Sequence, residues 1–178
     1  MNYFEKMKGA SQSPPSVSKL EVFLSWLGSF LGIAAIGAMN YIYMGSQENT
    51  LMIASFAASA VLLFGAPKSP LAQPRNFVGG HILAAFIGVA FCKTFVTQPA
   101  LAASLAVSTA IAVMHLTRTL HPPAGATALN AIIGGAKVHQ LGFAYPIFPV
   151  AVGVFILLAV ALIFNNAPKN RRYPEFWL

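Results

Sequence analysis

The chain has 178 residues, 57% of them hydrophobic and 8% charged, and its eleven Lys and Arg against four Glu leave a formal charge of +7. Mean hydropathy is +0.68, whereas a soluble globular domain is nearer a quarter charged. That excludes a disordered chain and an ordinary soluble enzyme, and basic residues spread thinly between apolar runs argue for membrane topology rather than nucleic-acid binding.

Residues 1–19 carry Lys6 and Lys8 and turn Ser/Pro-rich from Gly9 to Ser18. They lack the apolar centre of a cleaved signal and read as a flexible cytoplasmic segment. Charge-free windows then organise the chain. Glu21 to Glu48 enclose 26 uncharged residues, Glu48 to Lys68 enclose 19, and Arg75 to Lys93 enclose 17. Lys93 to Arg118 enclose 24, Arg118 to Lys137 enclose 18, and Lys137 to Lys169 enclose 31. A helix needs about 20 apolar residues to cross a bilayer. The pattern predicts an all-α, polytopic transmembrane bundle with about six membrane segments, near 20–45, 50–65, 75–97, 99–120, 122–136 and 141–165. The second and fifth are short enough to be broken or re-entrant. The transmembrane domain covers 20–165, and 166–178 form a basic cytoplasmic tail.

Six crossings with a cytoplasmic amino terminus put Lys6, Lys8, Lys19, Lys68, Arg75, Arg118, Lys169, Arg171 and Arg172 inside, nine of the eleven basic residues. The positive-inside rule therefore places both termini in the cytoplasm of a multi-pass protein of the inner (plasma) membrane. Tyr41, Tyr43, Tyr145, Tyr173 and Trp177 fall near segment ends, as interfacial aromatics do. Gly28 with Gly32, and Ser104 with Ser108 and Ala112, have the four-residue spacing that lets helices approach closely, so bundle packing is their reading. Cys92, the single cysteine, reads as a small buried hydrophobe.

Two stretches break the apolar pattern in the same way, with proline directly before a helical run. In Gln73-Pro74-Arg75-Asn76, Arg75 offers a planar guanidinium and Asn76 an amide to an oxyanion, and His81 follows on the same helix. His81 reads as a packing histidine or as a ligand. In Arg118-Thr119-Leu120-His121-Pro122-Pro123-Ala124-Gly125-Ala126-Thr127, a helix starts at Pro122-Pro123, and the small residues around Gly125 leave its backbone N–H groups open to an anion. Broken-helix transporters hold anions in this way. The same letters fit a tight cytoplasmic turn whose Arg118 marks the inside face. Ser104, Ser108, His115, Arg118 and Thr119 share one face of a continuous helix. Lys93, near the outer end of its span, fits simple snorkelling.

The four Glu, at 5, 21, 48 and 175, stand at or beyond segment ends and Asp is absent. That disfavours a cation path, a carboxylate proton relay, paired-carboxylate hydrolysis and a Ser-His-Asp triad. The histidines at 81, 115, 121 and 139 lack the spacing of a metal site. The expectation is a non-enzyme without metal or cofactor.

His121-Pro122-Pro123-Ala124-Gly125-Ala126-Thr127-Ala128-Leu129 resembles the signature of the HPP family of integral membrane proteins, and Pro74-Arg75-Asn76-Phe77-Val78-Gly79-Gly80-His81 resembles its second characteristic stretch. The similarity covers roughly 20–165. It implies four spanning helices, fewer than the six windows, and nitrite transport, in which members of chloroplasts and cyanobacteria are implicated. The combined expectation is a transporter or channel for a small monovalent oxyanion, most simply nitrite. Arg75, Asn76 and His81 would bind it together with the helix start at His121, Pro122, Pro123, Gly125 and Thr127. Arg118 would attract it at the cytoplasmic mouth, and His115 or His121 would exchange a proton if uptake is proton-coupled. Its partners would be the anion, the bilayer and further copies in a homo-oligomer, with no nucleic acid. The competing expectation is a non-transporting, membrane-embedded interaction or regulatory subunit, in which Arg75 and His121 are merely packed.

Overall fold

A computed structural model describes residues 2–8, 11–44 and 53–178. Glu48, the first residues of the second predicted segment and the Tyr43 side chain lie outside the described residues. The described chain is helical: α1 (Tyr3–Lys6), α2 (Lys19–Met44), α3 (Ala54–Ala60), α4 (Pro74–Thr94), α5 (Pro99–Leu116), α6 (Pro122–Ile133), α7 (Gly135–Leu141) and α8 (Val152–Asn166). α3 runs on into a π-helical turn at Val61–Gly65, and α8 is preceded by another at Pro146–Ala151.

Four helices are long and apolar enough to cross a membrane: Lys19–Ile42, Pro74–Thr94, Pro99–Leu116 and Pro146–Asn166. Between them lie two short apolar segments, Ala54–Gly65 and α6, close to where the sequence predicts short ones. At about 1.5 Å per residue, twelve-residue helices reach only some 18 Å. The π turn at Gly65 leads into Pro67 and Pro70, and α6 ends at Gly134, so each is stopped by residues that cannot continue a helix without loss.

Cross-contacts give the directions. Ser25, nearly two turns into α2, donates its hydroxyl to the Phe64 carbonyl at 2.9 Å, so the 54–65 segment runs back along α2. Glu21 meets Arg171 beyond the end of α8, so α2 begins and α8 finishes at the same end of the bundle. That end also holds the starts of α4 and α6 and the end of α5. It therefore gathers Lys19, Lys68, Arg75, Arg118, Lys169, Arg171 and Arg172, while Lys93 and Lys137 lie toward the other end. Lys93 is exposed in the last turn of α4, its ammonium 6.0 Å from the Phe143 ring centre, as snorkelling requires.

Two cores form. Phe56, Leu63, Phe64, Phe77, Val154, Leu157 and Ala161 join α3, α4 and α8, with Ile36 of α2. Gly28 and Gly32 permit this packing as expected: a Cβ on Gly28 would come 2.5 Å from Cδ1 of Phe64, and one on Gly32 2.6 Å from Cδ1 of Leu157. The second core is a ladder of small residues, Ala102, Ala106 and Ala110 of α5 against Ala84 of α4 and Ala124 and Ala128 of α6, with Cys92 packed beside it. The row Ser104, Ser108 and Ala112 is exposed instead, and both hydroxyls bond carbonyls of their own helix. Ala is smaller than Ser and carries nothing to satisfy, so the alanine row is the one buried.

Candidate functional site

α5 stops earlier than its periodicity suggests. Its last turn closes through Arg118 N–H to the His115 carbonyl (3.2 Å) and Thr119 N–H to the Met114 carbonyl (2.8 Å). This closure needs one residue in the left-handed region, usually Gly, and here it is Arg118 with φ of 56°. A side chain there costs about 1 kcal/mol. The shared face expected from Ser104 to Thr119 therefore breaks at Leu116: His115 and Arg118 stay exposed, while Thr119 turns inward to bond Thr117 at 2.8 Å.

The start of α4 is tied to this turn. Arg75 Nη2 donates to the Thr117 carbonyl at 3.0 Å, and Asn76 Nδ2 to the Leu120 carbonyl at 2.9 Å. Pro74 has no N–H, and the first bond of the helix runs from Phe77 N–H to the Gln73 carbonyl. The main-chain N–H groups of Arg75 and Asn76 thus have no acceptor within the helix. Arg75, Asn76, His115, Arg118 and Leu120 line a cavity of about 400 Å³, whose far wall is Phe176 and Leu178. Two guanidiniums, an imidazole and an amide converge here, and no acidic side chain lines the space.

The carboxy-terminal tail is held over this region. Arg171 reaches Glu21 at 2.6 Å, Asn165 Oδ1 at 3.0 Å and Ser25 Oγ at 3.1 Å. Tyr173 donates its hydroxyl to the Ala72 carbonyl at 2.8 Å, and Glu175 N–H donates to Gln73 Oε1 at 2.8 Å. Burial pushes the Tyr173 hydroxyl above its usual titration range.

A second cluster lies just beneath. His81 of α4 and His121, the residue that precedes α6, are fully buried with ring centres 5.0 Å apart. Ser59 of α3 stands between them, its Oγ 2.8 Å from His81 Nε2 and 2.9 Å from His121 Nε2. His121 Nδ1 is 2.7 Å from the Leu71 carbonyl, and His81 Nδ1 is 2.7 Å from Thr127 Oγ1. Thr127 donates in turn to Ser55 Oγ at 2.8 Å. Phe77 presents its ring edge to both imidazoles, at 5.3 and 5.2 Å.

The ten candidate residues thus separate. Arg75, Asn76, His115 and Arg118 share the cavity. His81, His121 and Thr127 share the buried network, where their polar atoms contact one another, Ser55, Ser59 and the Leu71 carbonyl. Pro122 and Gly125 line a neighbouring apolar groove, and Pro123 is buried in packing. At the start of α6, Pro122 and Pro123 have no N–H and Ala124 N–H bonds the His121 carbonyl at 2.9 Å, so fewer main-chain donors stand open there than the sequence predicts. Sequence reasoning missed Ser59, Ser55, Arg171 and Tyr173. The i, i+4 pairing of Ser55 and Ser59 in an apolar segment was the available signal for the first two.

No solved structure matches the chain. It is 46% identical over 180 residues to one transmembrane protein of Dictyostelium discoideum, covering 99% of this chain and 58% of that one. A second transmembrane protein of the same organism is 40% identical over 182 residues, with 99% and 64% covered. The chain therefore spans less than two thirds of each relative. The HPP transmembrane region matches residues 14–174. Both proline-led stretches, the histidine cluster and the polar residues of the cavity fall inside that match, and the chain belongs to the HPP transmembrane family.

Proposed function

We propose that this protein is a transporter or channel, not an enzyme, for a small monovalent oxyanion, nitrite foremost. It sits in the inner (plasma) membrane with both ends cytoplasmic and works as a homo-oligomer. The observation that carries the reading is the cavity of about 400 Å³ at the basic end of the bundle, where Arg75, Arg118, His115 and Asn76 converge. A planar oxyanion suits a guanidinium fork and an amide donor. Arg75 and Asn76 are held by carbonyls of the 117–120 turn, so part of their ordering is complete before an anion arrives.

The test is uptake of labelled nitrite, nitrate, formate and chloride by vesicles holding the purified protein. Nitrite should enter faster than into empty vesicles, and Arg118→Ala should slow it about tenfold, the scale of one lost charge-assisted contact. Arg118 suits the test because, among the described residues, no hydrogen bond from its side chain supports the fold in the way that of Arg75 does. Uptake of none of the four ions would sink the reading and leave the non-transporting membrane subunit in its place.

A further inference from the structure

We propose that His81 and His121, bridged by Ser59 Oγ, form a buried binding site for one proton, and that its occupancy is linked to the anion in the neighbouring cavity. The first part stands on hydrogen-bond stoichiometry, and the linkage rests on the anion reading above.

The directions follow from the partners. A carbonyl only accepts, so His121 Nδ1 carries the hydrogen toward Leu71, and the neutral ring then has a bare lone pair on Nε2. Thr127 spends its own hydrogen on Ser55 Oγ, so His81 Nδ1–H donates to Thr127, and His81 Nε2 is bare as well. Both lone pairs point at Ser59 Oγ, which also lies 3.0 Å from the Ser55 carbonyl. Three acceptors thus surround a hydroxyl with one hydrogen. The neutral pair shares one hydrogen between the two rings unless Thr127 turns its own from Ser55 to His81 Nδ1, which frees a His81 Nε2–H for Ser59. A proton added at His81 Nε2 serves both rings while Thr127 keeps its bond to Ser55: that ring donates to Ser59, and Ser59 donates to His121. Two added protons would put two positive rings 5.0 Å apart in a buried site, with repulsion of about 3 kcal/mol at an effective dielectric of 20. The pair therefore holds no more than one.

Ser59 also lets the proton move. His81 Nε2–H passes its hydrogen to Ser59 Oγ as the original hydroxyl hydrogen passes to His121 Nε2. One N–H bond breaks, one forms, and Ser59 ends as it began.

Among the described residues, none bonded to the pair is acidic; Glu175 stands on the tail, its N–H bound to Gln73. α3 contributes Ser55 and Ser59, the 70–72 turn its Leu71 carbonyl, and α6 Thr127. At the start of α4, Arg75 turns to Thr117, and at the end of α5, His115 and Arg118 face the cavity. The Tyr145 hydroxyl donates to the Thr127 carbonyl and that of Tyr173 to the Ala72 carbonyl. The bound proton therefore has no bonded counter-charge, and an anion in the cavity, lined by Leu120 next to His121 and by Asn76 on the helix of His81, supplies one. Proton and anion then favour each other reciprocally.

The experiment is nitrogen NMR of the imidazoles in the full-length protein in lipid, titrated from about pH 8 to about pH 4 with and without nitrite. His81→Gln and His121→Gln assign the signals, and vesicle uptake is measured in parallel. The expected result is one proton taken up by the pair, with its midpoint raised by about one pH unit when nitrite is present, a tenfold gain in affinity. A pair that stays neutral throughout, or that takes two protons, overturns the site whether or not nitrite is transported. A single proton insensitive to nitrite in vesicles that do transport it overturns the linkage alone. A single proton without any anion uptake sinks the anion reading and the linkage with it, and the proton site survives.

Discussion

Arg171 and Glu21, 150 residues apart, form an ion pair of 2.6 Å whose arginine side chain is only 3% exposed. The pair fixes the end of α8 to the start of α2, and Asn165 and Ser25 supply the remaining partners of the guanidinium. Breaking such a pair from one side leaves a charge without its partner. Glu21 is 25% exposed, so water recovers part of that loss. Arg171→Ala is expected to lower stability by about 2 kcal/mol and to loosen the tail that carries Phe176 and Leu178 over the cavity. Unfolding in micelles should show the loss. Arg172→Ala, an exposed neighbour, should change stability by less than about 0.5 kcal/mol.

Arg118 holds a backbone conformation in which glycine is the usual residue. Relieving it with Arg118→Gly should raise stability by up to about 1 kcal/mol while it lowers nitrite uptake about as far as Arg118→Ala does. The opposite signs matter, because a residue retained only for packing would not weaken the fold. Arg118→Lys keeps the charge and the strain and should retain more uptake than Arg118→Gly. Unfolding curves and vesicle uptake on the same preparations decide it. If Arg118→Gly lowers stability, the strain argument fails.

The helical bundle and the polar residues of the cavity were legible, though not their separation from His81 and His121, because the bilayer makes polar residues conspicuous. Arg75, Asn76 and Arg118 interrupt apolar runs, and prolines mark the helix starts beside them. The two short segments were legible from the distance between charges. Ser59 was not, since one serine in an apolar helix ordinarily bonds its own backbone, and Ser59 does that too. What makes it different is its position between two rings from α4 and the start of α6, a long-range fact. Arg171 was read as part of a basic tail and Tyr173 as an interfacial aromatic, although it is buried, because nothing local announces a partner 150 or 101 residues away. The end of α5 was misplaced for a related reason. Its stop depends on a left-handed arginine, which no residue preference signals.

Two glycines separate packing from function. A Cβ on Gly88 of α4 would sit 2.5 Å from the Ala128 carbonyl oxygen and 2.9 Å from the Ala128 Cα, both backbone atoms of α6. Gly88→Ala must push α6 away, with an expected loss of about 1–3 kcal/mol and a displaced His121. Gly125 has only Val107 Cγ1 within reach, at 3.8 Å. Gly125→Ala should stabilise α6 by about 0.5–1 kcal/mol and leave nitrite uptake unchanged. A large loss of uptake in a well-folded Gly125→Ala protein would return the start of α6 to the anion site.

Tyr173 gives the tail an alkaline limit. Its ring is 1% exposed and its hydroxyl is bound to the Ala72 carbonyl, and burial raises its titration above the ordinary value. The folded state therefore holds the neutral phenol. Its contribution is complete below about pH 10, where the unfolded tyrosine titrates, and falls away as pH rises from there through the folded value. At neutral pH, Tyr173→Phe should lower stability by about 1 kcal/mol through the lost hydrogen bond. Because phenylalanine cannot ionise, the variant should also lose less stability than the wild type between about pH 9 and about pH 11. The two curves should converge as alkali is added. Parallel curves would mean that the phenol reaches water while the protein is folded, and that the tail is not docked through this ring.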